Sequence, residues 1–196
     1  GKNLNLQTVP NFKEGIVSRT AFLTEFAKDE AIKSMVWQKV IKKEFFTGLN
    51  FDQNVRVAED ALLLTDLALK LKKFVYLKKP LYYWVIRESS LTHSATLEDE
   101  IKVFLVFEDR YIKYIKHINN LSITLVTKHA YNVLRRAAIE NHVSDTVIHC
   151  KNLIRNNIRT ILFDKDIRLN DKKQYLLVYL GVADYYNKWK YGKSDK

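Results

Sequence analysis

The pattern of apolar and polar positions changes character near Ala95. Before that point the runs are short and mixed. Residues 1 to 17 show no sustained period and read as irregular, with room for a short strand. Ser18 stands where a helix needs a cap, since a serine hydroxyl accepts from an orphan N–H of the first turn, and the helix it opens runs to about Lys28. A second, short helix is expected over Glu30 to Ile41, with the run to Asn54 as loop. A longer one is expected from about Ala58 to Lys72. FVYLKKPLYYWVIR, Phe74 to Arg87, is rich in aromatic and β-branched residues and broken by Lys79-Pro80, which predicts two short strands. RESSLTHS, Arg87 to Ser94, reads as a polar loop.

From Thr96 onward the period is helical. Thr96 and Asp99 have capping-box spacing. Ile101, Phe104, Leu105, Ile112, Ile115 and Ile118 recur at the spacing of one helix face. A second helix is expected from about Ile123 to Asn141. A third is capped by Ser144 and runs to about Leu162, and a fourth is capped by Asn170 or Asp171 and runs to about Lys190. The expected fold class is mainly α. A short β-hairpin or strand pair near 74–87 lies in an N-terminal part (1–95), followed by a C-terminal bundle of about four helices (96–196). No internal repeat or low-complexity tract appears.

Composition narrows this picture. The 196 residues include only 5 glycines and 2 prolines, which leaves few turn-formers and favours helix. The net charge of +11 suits an anionic partner such as nucleic acid, an acidic membrane leaflet or a phosphorylated substrate. The single cysteine, Cys150, excludes an internal disulfide and reads as a small buried hydrophobe. No apolar run reaches the length of a membrane span. The best, Tyr175 to Ala183, is about half of it. The chain starts at Gly1 and its one methionine is Met35, so a fragment excised from a longer protein is expected, with Gly1 a cleavage scar.

The candidate chemistry begins in VRVAEDALLL, Val55 to Leu64, where two acids open an apolar run. On a wheel of 100° per residue, Leu63, Leu64, Leu67 and Leu71 fall within about 60° of Asp60, while Glu59 falls beside Asp66 and Lys70. Asp60 is therefore the inward acid. One reading is electrostatic: first-turn acids offset unpaired N–H groups and the helix dipole. The other is a general base held ionised at a cleft edge.

Four segments in order resemble the second half of the catalytic domain of family 2 glycosyltransferases of the GT-A fold. SMVWQKVIKKEFF (Ser34 to Phe46) is similar to the family's Trp-Asn-Lys-Leu-Tyr segment with its basic pair and aromatic. LNFDQNVRVAEDALL (Leu49 to Leu63) is similar to its acid-pair segment. KKFVYLKKPLYYWVIR (Lys72 to Arg87) is similar to its strand pair, and ESSLTHS (Glu88 to Ser94) to the loop after it. The helical tail from Thr96 resembles the variable C-terminal extensions of such enzymes. Gln38 stands where the family has Asn, and Trp84 where it has a third Tyr.

The resemblance implies roles. Asp60 would be the catalytic base, taking the proton of an acceptor hydroxyl that attacks a nucleotide-linked sugar with inversion, and Glu59 would support it or touch the acceptor. Trp37 and Gln38 would line the substrate site, with Arg87 contacting diphosphate and His93 a phosphate or metal contact. Each has a plainer reading: Trp37 as core, Arg87 in an ion pair, His93 as a surface polar residue. The family's nucleotide sits on a preceding βαβ half ending in an Asp-x-Asp motif that holds Mn²⁺ or Mg²⁺. The resemblance thus implies a divalent metal in the full-length enzyme, none bound by this chain alone, and that missing half as a partner. Asp164-Lys165-Asp166 has the motif's form but lies after the acid pair and reads as a helix-to-helix loop.

The expected function is the acceptor-side part of a glycosyltransferase acting on cell-surface polysaccharide or glycoprotein glycan, inactive alone, cytoplasmic and peripheral to the inner face of the membrane. The alternative is a basic helical module for nucleic acid or an anionic membrane surface. Lys151, Arg155 and Arg159 form a basic stripe, either a solvated face or a docking site for anionic lipid or polymer. DYYNKWKYGK, Asp184 to Lys193, interleaves aromatics with lysines as membrane interfaces do, or is a docked terminal helix. No nucleic-acid recognition motif is present. His117, His129, His142 and His149 are scattered, with no pair at metal-binding spacing.

Overall fold

The computed structural model describes residues 10, 12–49, 51–52, 55–79, 81–82 and 95–192. It is mainly helical, with a two-stranded antiparallel sheet near the N-terminus and a helical bundle at the C-terminal end, the expected fold class. Two compact units result: Gly1–Ser90 with Asp109–Leu121, and Leu91–Glu108 with Ser122–Lys196.

In the first unit, strand β1 (Gly15–Val17) pairs with β2 (Phe74–Tyr76), Val17 opposite Phe74. The first of the two strands expected over 74–87 is β2. Residues 83–87 lie outside the described residues, and the described partner of β2 is distant in sequence. The pairing buries Val17 and Phe74 on one face and leaves Ile16 and Val75 exposed on the other, the period-two alternation of a one-sided sheet. Helix α1 (Arg19–Lys28) is capped by the Ser18 hydroxyl, which accepts from Ala21 N, and Phe22 stacks on Phe74 at 3.8 Å.

The short helix expected over Glu30 to Ile41 does not form. Asp29 ends α1 in the left-handed conformation, and its carboxylate accepts from both the backbone N–H and the hydroxyl of Ser34. A side chain that satisfies backbone donors in this way competes with helix. The segment holds only a 3₁₀ turn, Val36–Gln38, and a second follows at Lys43–Phe46. Helix α2 (Glu59–Lys70) buries Ala61, Leu63, Leu64, Leu67 and Ala68. Its Leu64 and Leu67 pack with Leu23, Phe26, Tyr114 and Ile118 to form the core of this unit.

The second unit begins with α3 (Leu97–Tyr114), whose residues up to Glu108 belong to it. The capping box forms reciprocally: Thr96 N and Oγ1 both donate to Asp99 Oδ2 at 2.9 Å, and Asp99 N donates to Thr96 Oγ1. The buried face of α3 is shifted from the one expected: Phe104 and, beyond the helix, Ile118 are buried as the spacing required, but Leu105, Ile112 and the following Ile115 are exposed, and Phe107, Arg110 and Tyr114 are buried.

Helix α4 (Thr124–Glu140) supplies the bundle's most buried stretch, including Ala130, Val133, Leu134 and Ala137. The third expected helix is two. Between α5 (Asp145–Asn156) and α6 (Ile158–Phe163), Asn157 turns its amide back to the Leu153 carbonyl at 2.9 Å and interrupts the ladder. The fourth is also two, α7 (Leu169–Tyr179) and α8 (Ala183–Tyr191). Gly181 at φ +81 ends α7: its N–H donates to Val178 O and that of Val182 to Leu177 O, the paired bonds of a Schellman end. Helix α7 begins earlier than expected, after Arg168, so Asp171 lies in its first turn and neither it nor Asn170 is the cap.

Candidate functional site

The acid pair opens α2 from a strained position. Ala58, immediately before Glu59, has φ 69 and ψ 20, a left-handed conformation that costs a residue with a Cβ about 1–2 kcal/mol, and no side chain caps the helix there. This conformation sets the direction in which the two acids leave the loop. Both are half-buried. Asp60 points inward, as the wheel requires: its Oδ2 accepts from Val36 N at 3.1 Å. That bond fastens the 3₁₀ turn carrying Trp37 and Gln38 to the N-terminus of α2. Trp37 is half-buried and stacks on Tyr82, ring centroids 4.4 Å apart and 22° from parallel, and Gln38 is exposed. Arg87 and His93 lie outside the described residues.

Sequence reasoning missed the group that holds this corner in place. Arg110 is fully buried at 1% exposure. Its Nε donates to Thr65 Oγ1 at 2.8 Å, its Nη1 to Ser34 Oγ at 2.7 Å and Phe26 O at 3.3 Å, and its Nη2 to Ala61 O at 3.0 Å. The guanidinium lies 4.4 Å from the Phe26 ring centre and 3.9 Å from Asp29 Oδ1. One planar cation thus ties the end of α1, the loop at Ser34 and the first two turns of α2, using the fork that arginine alone offers. A sequence signal existed: Arg110 falls in step with Phe104, Phe107 and Tyr114.

Lys39 closes the same loop. Its ammonium donates to Met35 O at 2.8 Å and to Lys33 O, and it sits 5.6 Å from the Phe26 ring centre. Burial pushes its pKa down to about 8. Asp29 and Asp60 work against that shift and Arg110 with it. The loop from Asp29 to Lys39 is therefore built around two cations and two carboxylates, with Asp60 the member at a helix N-terminus.

No family model matches the chain, and no curated protein or solved structure is significantly similar to it.

Of the basic stripe, Lys151 and Arg155 are turned to internal partners rather than out to solvent. Lys151 Nζ donates to Asp184 Oδ2 at 2.9 Å, and Arg155 Nε donates to Val178 O at 3.1 Å, so they tie α5 to α8 and α7. Arg159 lies beyond the break at Asn157 and is exposed. Asp164 ends α6, with Oδ2 accepting from Ser122 Oγ at 2.7 Å and Oδ1 from Asp166 N at 2.9 Å. Both its oxygens hold the turn, as the loop reading had it, so Asp164-Lys165-Asp166 is not built as a cation cradle. Among the described residues no group of three or more His, Cys, Asp or Glu is arranged to hold a metal. Of the histidines, His149 bonds Glu108 Oε1 at 2.7 Å and His129 stacks on Phe107 at 4.4 Å. Cys150 is fully buried in α5, where burial and Glu108 push its thiol up to about 12. No described helix is long and apolar enough to cross a membrane.

Proposed function

We propose that this chain is the acceptor-side part of an inverting glycosyltransferase, with Asp60 as its general base. The observation that carries the reading is the bond from Val36 N to Asp60 Oδ2. It joins two of the four segments that carry the resemblance, Ser34 to Phe46 and Leu49 to Leu63, at the residue the resemblance names as the base. Trp37 and Tyr82 add a flat aromatic surface from the first and third segments, the kind of surface on which the apolar face of a sugar ring packs.

In this reading Asp60 takes the proton of an acceptor hydroxyl. The resulting oxygen attacks the anomeric carbon of the donor sugar from the face opposite the nucleotide, and the nucleoside diphosphate departs with the bonding electrons. The bond from Val36 N fixes the orientation of Asp60 in the first turn of α2. Strain at Ala58 supports the same reading, since a sparsely populated backbone conformation next to reactive groups is a recurrent feature of active sites. Glu59 supports the base or touches the acceptor. The donor would sit on a nucleotide-binding half that precedes this chain in the parent protein, and the acceptor would be a glycan or surface polymer.

The test is the parent gene. The reading expects alternating strands and helices upstream, closing in an apolar strand and Asp-x-Asp within about 100 to 150 residues, a typical domain length. An upstream sequence without that pattern would overturn it.

A further inference from the structure

Helix α7 is apolar on two opposite sides. Tyr175 and Val178 face the bundle, at 2% and 1% exposure. At 100° per residue, Leu169, Lys173, Leu176 and Leu180 fall within about 60° of one another and roughly opposite that pair. All four are exposed, Leu169 at 76% and Leu180 at 61%. A helix that buries one apolar face has no folding reason to carry a second one in water.

Further exposed apolar residues flank this stripe along the chain at both ends. At its start, Lys172 Nζ donates to Leu162 O at 2.8 Å, which holds the first turn of α7 against the end of α6, where Phe163 is 89% exposed. At its finish, the Gly181 corner leads through the exposed Val182 into α8, where Tyr185 and Trp189, one turn apart, are exposed at 81% and 64%. Exposed cations accompany its first end, Lys165, Arg168 and Lys173; toward the second, Lys188 Nζ donates to Asn141 Oδ1 at 2.6 Å and Lys190 lies over the Tyr186 and Tyr191 rings, both remaining exposed. The nearby acids are mostly spent or turned away. Asp164 is held by Ser122, Asp184 pairs with Lys151, and Asp171 lies off the stripe.

We propose that this face of the C-terminal unit, the α7 stripe with the α6 end and the α7–α8 corner, docks on the surface of an anionic lipid bilayer. Aliphatic side chains would enter the acyl boundary, Tyr185 and Trp189 would lie at headgroup depth, and the lysines would meet lipid phosphates and carboxylates. The charge selects an anionic partner. The aliphatic stripe selects lipid over nucleic acid, because leucines neither stack on bases nor bind phosphate. The face lies away from the loop of Asp29 to Lys39 in sequence and owes nothing to the glycosyltransferase reading.

The experiment is flotation of the full chain with vesicles of phosphatidylcholine alone and of phosphatidylcholine with phosphatidylserine. Binding is expected only to the second, weakening as salt rises. The pair Leu176→Ser and Leu180→Ser should abolish it, and Lys173→Glu should weaken it about tenfold or more, by removing one attractive charge and adding a repulsive one. These positions are exposed, and circular dichroism melting confirms that each variant folds. Absence of binding to the phosphatidylserine vesicles at low salt would overturn the proposal, as would binding that both variants leave intact. Dimerisation seen by sedimentation and abolished by the leucine variants, without vesicle binding, would assign the face to a second copy and overturn it as well.

Discussion

At the residue scale the N-terminal unit turns on Arg110. Its guanidinium fills a place that the helical period reserves for an apolar side chain, and it meets four acceptors and the edge of Asp29's field. Arg110→Met should therefore cost about 3–5 kcal/mol, because it leaves Asp29 and the buried acceptors without their cation. Urea unfolding at neutral pH measures this, and a loss under about 1 kcal/mol would contradict the account. Cys150 carries a pH prediction. Its thiol ionises near the ordinary value of about 9 in the unfolded chain and near about 12 in the folded one. Between these the unfolded state binds fewer protons, so the stability Cys150 contributes, fully present below about 9, is lost as pH rises through the window. The slope is at most about 1.4 kcal/mol per pH unit. Cys150→Ala should lose stability less steeply than the parent over that range, and the native thiol should stay inert to a disulfide reagent at neutral pH. The burial of this cysteine and the inward turn of Asp60 were legible in the sequence from hydrophobic context and a helical wheel. Arg110 was not, because a period count registers apolar residues and passes over a charge in their rank.

At the element scale, legibility followed local chemistry. Ser18, Ser144 and the Thr96–Asp99 pair were readable as helix starts, because caps act within three or four residues and bond as expected. The helix ends were harder. Asn157 and Gly181 each divide a helix whose apolar period runs straight through, and Gly181 sits beside the Arg155 guanidinium, which an added Cβ would approach to 3.4 Å. Gly181→Ala should cost about 1–2 kcal/mol for the left-handed backbone alone, read as a lowered melting temperature, and a neutral outcome would show that the α7–α8 corner can rearrange. Thr96→Ala should cost about 1 kcal/mol by undoing the capping box, measured the same way. The pairing of β2 with β1 was illegible for another reason. Strand propensity marks which residues extend but not which distant segment completes the ladder, and nothing local in Phe74 to Tyr76 points to Gly15 to Val17.

At the scale of the whole molecule, two units with different demands share one basic chain. The first builds a corner around Asp60, with the Trp37 turn fastened to it and Arg110 and Lys39 beneath the surrounding loop. The second spends Lys151 and Arg155 on its own cohesion and leaves a separate apolar face with lysines beside it. The net charge of +11 therefore divides between internal ties and outward display, which no count of charges along the sequence could separate. The central claim is that Asp60 is a base rather than only a helix-terminus acid, and one measurement addresses it directly: turnover of the full-length parent protein with a nucleotide-sugar donor, comparing the parent with Asp60→Asn while circular dichroism follows folding. The account predicts a fall of about 10² to 10⁴-fold with the melting temperature nearly unchanged. An Asp60→Asn protein that turns over as fast as its parent would contradict it.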